Sequence, residues 1–192
     1  MSTPERRAAA FLQAITYLRI ALVPVVMWLV LIGEDVRYAY VTGGILFAVA
    51  SFTDFLDGRL ARRWKQVSDF GTFLDTTADK LLVAGVLVAL VSVGRASTWI
   101  AFLIIGREIL IMGLRGVIAA DGRVMKPSIW GKVKAAIQFT AITLAIVRTS
   151  WRLGPLFPDQ WAMLAAALFT IGSAIDYVVR FAGVLTSERS PR

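Results

Sequence analysis

The chain alternates long apolar runs with short polar breaks, and the length of the runs matches the thickness of a bilayer. A helix needs roughly 20 residues to cross the hydrocarbon layer. Six stretches have that length, at about residues 11–32, 37–60, 71–94, 97–120, 128–149 and 159–186. The breaks between them carry turn and stop signals. They fall at Gly33-Glu34-Asp35, from Trp64 to Asp69, at Gly94-Arg95, from Asp121 to Pro127, and from Trp151 to Asp159 with its two prolines. The pattern predicts an all-α integral membrane protein, a single domain over residues 1–192 with six transmembrane helices. An even number of spans puts both termini on one side.

Composition agrees, with 57% hydrophobic residues and a mean hydropathy of +0.69. The first eleven residues lack a short apolar region followed by a small-residue cleavage site, so no cleavable signal is expected. Cys and His are both absent. Disulfide, thiolate and imidazole chemistry are thereby excluded, and a general base has to be a carboxylate, Lys or Tyr. The net charge of +8 raises the question of nucleic acid. The basic residues flank apolar spans instead of covering a soluble face. Anionic lipid head groups and phosphate substrates are therefore the expected partners, and nucleic acid is not.

Loop charge orients the spans. With the N-terminus in the cytoplasm, that side holds Arg6, Arg7, Arg59, Arg62, Arg63, Lys65, Arg123, Lys126, Lys132, Lys134, Arg189 and Arg192, twelve in all. The other side holds four: Arg37, Arg95, Arg148 and Arg152. This bias predicts a multi-pass protein of the cell (inner) membrane whose second and third helices meet at the cytoplasmic face.

At those cytoplasmic ends lie four carboxylates. Asp54 and Asp57 are three apart, and Asp75 and Asp79 four apart, so each pair shares a helix face. Two such pairs on adjacent helices repel unless cations sit between them, and hard divalent ions are the natural candidates. Gly58, Ala61 and Gly71 let something bulky approach the backbone. The combination points to metal-assisted phosphoryl chemistry. A divalent-cation transporter with an Asp-lined path also accounts for the carboxylates, but not for the small residues between them.

Further charges lie within the spans: Arg19, Arg107, Glu108, Arg115 and Asp176. Such groups usually face a bundle interior or a water-filled cavity. Arg107 and Arg115 are eight apart, near two turns, and stack on one face as a phosphate site. Glu108 lies seven before Arg115 and is placed to pair with it. Structural ion pairing between helices is the competing reading of Glu108 and Asp176. Lys132 and Lys134 are two apart and do not share a face; one is expected to snorkel to lipid phosphate while the other faces the cavity.

The segment from Asp54 to Asp79 reads D-x2-D-G-x2-A-R-x8-G-x3-D-x3-D. This resembles, without a gap, the signature of the CDP-alcohol phosphotransferases, membrane enzymes that move a phosphatidyl or similar group from a CDP-linked donor to an alcohol. G-R-E-I-L-I-x-x-L-R from Gly106, G-K-V-K-x-x-x-Q from Gly131, A-D-K-L-L from Ala78 and T-Y-L-R-I-A-L-V-P from Thr16 are similar to the branch that uses sn-glycerol 3-phosphate as acceptor. Gln13, Thr76 and Ala135 depart from the usual Asn, Pro and Thr, and none of these changes removes a carboxylate or a basic group.

The resemblance implies a family-like helical bundle, a homodimer, and one or two Mg²⁺ or Mn²⁺ ions held by Asp54, Asp57, Asp75 and Asp79. It implies a CDP-donor cradle of Gly58, Ala61, Arg62 and Gly71, and Asp79 as the catalytic base. It implies an acceptor-phosphate site of Arg107, Arg115, Lys132 and Lys134, joined by Arg19. The substrates would be CDP-diacylglycerol and glycerol 3-phosphate, and the products phosphatidylglycerophosphate and CMP. Family members that use phosphatidylglycerol or inositol phosphate as acceptor stay open as alternatives.

Overall fold

The computed structural model describes residues 3–64, 69–120 and 129–186, with side chains at 13–53, 71, 73–120 and 130–182. Each predicted apolar run is one helix: α1 (Thr3–Leu31), α2 (Ala39–Trp64), α3 (Asp69–Ser92), α4 (Thr98–Ala120), α5 (Ile129–Val147) and α6 (Pro158–Thr186). The helix ends follow local chemistry. Gly94 adopts φ +68°, the left-handed geometry that closes α3, and the Arg95 N–H reaches back to the Leu90 carbonyl at 2.8 Å. That backward bond is a Schellman-type cap, which glycine permits without a Cβ clash.

α1 packs against α2 and α3, α5 against α2 and α6, and α4 against α3 and α6. The bundle has two layers along its axis. One is apolar, built from Val26 and Val30 of α1, Phe47 of α2, Leu82, Val86, Leu87 and Leu90 of α3, Ile104 of α4, and Ile142 and Ile146 of α5. Small residues bring the backbones close in this layer. A Cβ on Gly85 would lie 2.8 Å from Met27 Sδ, and one on Gly44 would lie 2.6 Å from Val147 Cγ2. Such contacts replace the hydrophobic driving force that helices lack in lipid. The other layer, nearer the α2–α3 connection, is charged.

The outer surface is apolar. Trp99 is 81% exposed, and Phe102, Leu168 and Val179 are exposed with it. Exposed Trp28, Trp99, Trp151 and Trp161 sit near one set of helix ends and Trp130 near the other, as interfacial belts require. Three helices hold stretches long and apolar enough to cross a membrane: Gln13–Leu31, Trp130–Val147 and Pro158–Ala182. Among the described residues this is fewer than the six expected spans: the apolar stretch of α2 is described only over Ala39–Thr53, and charges interrupt those of α3 and α4. Within its length α3 carries Asp75, Asp79 and Lys80, and α4 carries Arg107, Glu108 and Arg115. Most of these turn inward and pair.

The end away from the carboxylates is fastened by a separate polar cluster. Arg95, in the α3–α4 connection, stacks 3.4 Å from the centroid of the Tyr40 ring of α2 and donates to the Ile146 carbonyl of α5 at 2.7 Å. Arg148 pairs at 3.2 Å with Asp159 of α6, which is 1% exposed, and also reaches the Arg95 carbonyl. Three helices, α2, α5 and α6, and the α3–α4 connection are thereby tied at one rim. Removing one partner of a buried pair strands the other charge, at about 3 kcal/mol or more. Arg148→Ala is therefore expected to lower the thermal midpoint of the detergent-solubilised protein well below that of Arg180→Ala, which breaks an exposed pair; equal midpoints would show that the rim cluster contributes little.

Candidate active site

The carboxylate motif is placed by the α2–α3 hairpin. Asp57 lies seven residues before the last residue of α2, and Asp75 six after the first residue of α3. At 1.5 Å per residue both lie about 10 Å from the connection, and Asp54 and Asp79 both about 15 Å. The four positions therefore pair off by depth on two antiparallel helices that touch. The side chains of Asp54, Asp57, Gly58, Ala61 and Arg62 lie outside the described residues; Gly71 stands in the first turn of α3.

On α3 both carboxylates are held by basic side chains. Arg19 of α1, 2% exposed, donates from Nη1 to Asp75 Oδ1 at 2.9 Å. Lys80 donates from Nζ to Asp79 Oδ2 at 3.0 Å. Asp75 keeps partial access to solvent, and Asp79 is more enclosed. Arg19, expected from the sequence among the acceptor-phosphate ligands, is thus engaged by a carboxylate of the motif.

Glu108 organises the charged layer beyond. It is 5% exposed and receives three cations from three helices: Lys80 of α3, Lys134 of α5 and its own neighbour Arg107 at 3.0 Å. The sequence spacing suggested Arg115 as its partner, and the structure corrects this. A position seven along the same helix is two turns away, whereas Lys80 and Lys134 reach across from α3 and α5 at the same depth. Because Lys80 also bonds Asp79, the motif and the basic layer form one continuous network. Sequence reasoning missed Lys80. Its signal was adjacency to the last motif carboxylate, within the A-D-K segment.

The two lysines of α5 divide as their spacing requires: Lys134 is buried and Lys132 exposed. Arg107 is nearly buried and Arg115 exposed; eight residues apart, they stand a little over two turns from each other on α4. Asp176 pairs with Arg180 at 3.0 Å one turn along α6, which is the structural reading of that residue. Among the described residues no group of three or more acidic side chains forms a metal site, since two of the four motif carboxylates fall outside them. The donor set available to an ion is oxygen only, which suits hard divalent cations.

A family model for CDP-alcohol phosphatidyltransferase matches residues 12–172. The chain belongs to this family. The match takes in α2 to α5 whole and reaches into α1 and α6, so it spans both the motif and the basic layer. The chain is 37% identical over 174 residues to the CDP-diacylglycerol–glycerol-3-phosphate 3-phosphatidyltransferase of Bacillus subtilis, covering 85% of this chain and 90% of that one. It is 35% identical over 177 residues to a probable phosphatidylglycerophosphate synthase of Mycobacterium tuberculosis, covering 91% and 82% of the two chains. A Haemophilus influenzae enzyme with the same name as the Bacillus relative is 40% identical over 141 residues, covering 70% and 74%. The family is one of helical membrane enzymes, in accord with the bundle and its apolar exterior.

The Glu108 network makes a quantitative claim about coupling. Glu108→Ala strands cations, Lys134→Ala takes one of three cations from the carboxylate, and the double substitution disturbs less than the two together. The summed loss of the single variants is expected to exceed that of the double by about 1–3 kcal/mol in reversible unfolding in detergent; strict additivity would mean the two residues do not act as a pair.

Proposed function

We propose that this protein transfers the phosphatidyl group of CDP-diacylglycerol to sn-glycerol 3-phosphate, giving phosphatidylglycerophosphate and CMP. The observation that carries the acceptor is the basic layer. Lys80, Arg107 and Lys134 surround Glu108, and Arg115 stands two turns along the same face of α4. Set against Glu108 and Asp79, those four cations leave a surplus of about two positive charges, close to the charge of a phosphomonoester at neutral pH. A neutral polyol acceptor gives no reason for such a layer inside a bilayer. The activities named for the relatives at 35–40% identity agree with this acceptor.

The residues divide the work by position. Gly58, Ala61, Arg62 and Gly71 form the donor cradle at the cytoplasmic end of the hairpin. Arg107, Arg115 and Lys134 bind the acceptor phosphate, and Lys132 contacts lipid head groups from the exposed face. Asp79 orients the acceptor hydroxyl and takes its proton. The hydroxyl oxygen bonds to the phosphatidyl phosphorus as the bond from that phosphorus to the CMP oxygen breaks. Lys80, fixed by Glu108, holds Asp79 in place, and Arg19 holds Asp75. Asp54, Asp57, Asp75 and Asp79 would hold one or two Mg²⁺ or Mn²⁺ ions, which when bound supply charge neutralisation at the donor pyrophosphate and the leaving CMP. The active site faces the cytoplasm of an inner-membrane protein, and the chain works as a homodimer.

Purified protein given CDP-diacylglycerol and a panel of acceptors is expected to form phosphatidylglycerophosphate from glycerol 3-phosphate, read by lipid mass spectrometry. Asp57→Asn and Asp75→Asn are each expected to abolish CMP release while the protein still folds, and excess EDTA to do the same. Turnover of phosphatidylglycerol but not glycerol 3-phosphate would move the assignment to cardiolipin synthesis, and full activity in EDTA would remove the metal.

Orientation has its own test, made clean by the absence of cysteine. A thiol introduced by Glu34→Cys, at an exposed position in the α1–α2 connection, is expected to react with an impermeant reagent in intact cells. One introduced by Ser190→Cys is expected to react only after permeabilisation. The reverse pattern would separate the active site from its cytoplasmic donor.

A further inference from the structure

The proposed acceptor site has walls from α4 and α5, and α6 packs against both. On that helix Tyr177 is only 8% exposed, and its hydroxyl is buried without a hydrogen-bond partner among the described residues. The Nε of Arg107 is buried without a partner in the same way. A buried donor left unmatched carries a desolvation penalty, and a Phe at this position would avoid it. α4 and α6 both start at the rim fastened by Arg148 and pack together, so Tyr177, nineteen residues after the first residue of α6, stands at about the depth of Arg115, seventeen after the first residue of α4. Side chains on a helix lean toward its N-terminus, which carries this ring back toward the level of Arg107. Two unmatched donors, the Tyr177 hydroxyl and the Nε of the Arg107 guanidinium, therefore lie on packed helices together with Arg115, and what the group lacks is an acceptor with several oxygens.

We propose that the Tyr177 hydroxyl donates to the phosphate of the acceptor substrate and completes, from α6, the site begun by Arg107 and Arg115. The assignment rests on reading those arginines as acceptor-phosphate residues. Phosphate oxygens are strong acceptors and take an O–H donor together with guanidinium forks. Tyr177 is a binding residue here and moves no proton: the hydroxyl keeps its hydrogen and orients the phosphomonoester while Asp79 acts at the other end of the molecule.

Tyr177→Phe tests this with almost no change of shape. In the purified enzyme it is expected to raise KM for glycerol 3-phosphate about 10-fold or more, and to leave KM for CDP-diacylglycerol within about two-fold. Because the hydroxyl has no partner among the described residues, the thermal midpoint is expected to stay equal or to rise. Glycerol 3-phosphate is expected to stabilise the wild type against heating and to lose that effect in the variant. An unchanged KM for glycerol 3-phosphate overturns the assignment. So does a parallel rise in both KM values with a lowered midpoint, the behaviour of a packing residue. Arg115→Ala, measured alongside, separates the two levels of argument. If it raises KM for glycerol 3-phosphate and Tyr177→Phe does not, the role of Tyr177 fails and the acceptor site stands. If neither variant moves that KM, both fall.

Discussion

An ionised side chain in hydrocarbon is tolerated only when another charge or water meets it, and the charged layer of this bundle follows from that constraint. Glu108 is the point where it acts most strongly, because a carboxylate there meets cations from α3, α4 and α5 at once. The same contacts that make three basic side chains tolerable in the bilayer also aim them at one small volume. Lys80 then joins that volume to Asp79. Under the proposed function, stability and acceptor recognition thus share one set of ion pairs, and altering one disturbs the other.

The division of the bundle into an apolar and a charged layer assigns the two jobs to different depths. Phe47, Leu87, Ile104 and Ile142 close the far half without a polar atom, and Gly44 and Gly85 let backbones approach where no water is expelled. The near half carries the charges and depends on helix placement for its pairing.

Much of this was legible in the chain. The apolar runs and their breaks place the helices to within a few residues, except that α1 begins at Thr3, eight residues before its apolar run, and a break such as Gly94-Arg95 has a definite backbone consequence in the cap of α3. The fixed spacing from Asp54 to Asp79 carried the family. Partners across helices were not legible. Spacing along a single helix offered Arg115 to Glu108, whereas its partners Lys80 and Lys134 stand 28 and 26 residues away in sequence and beside it in space. Arg19 looked like a phosphate ligand because an arginine in a span announces function without naming its counter-ion. Tyr177 gave no signal, since a tyrosine near the end of an apolar run reads as an interfacial residue.

The rim fastened by Arg95, Arg148, Asp159 and Tyr40 has a mechanical consequence for a lipid-handling protein. Rods joined at one end move least there and most at the free end, like the arms of tongs. Under the proposed function the opposite end, where the carboxylates lie, is the one that would take in a two-tailed lipid from the side. Helices can part at that end by small tilts, with side chains in the apolar half staying in their contacts, so the seam can admit a bulky lipid without dismantling the frame. The rim, far from the carboxylates, would then serve as the hinge of that entrance.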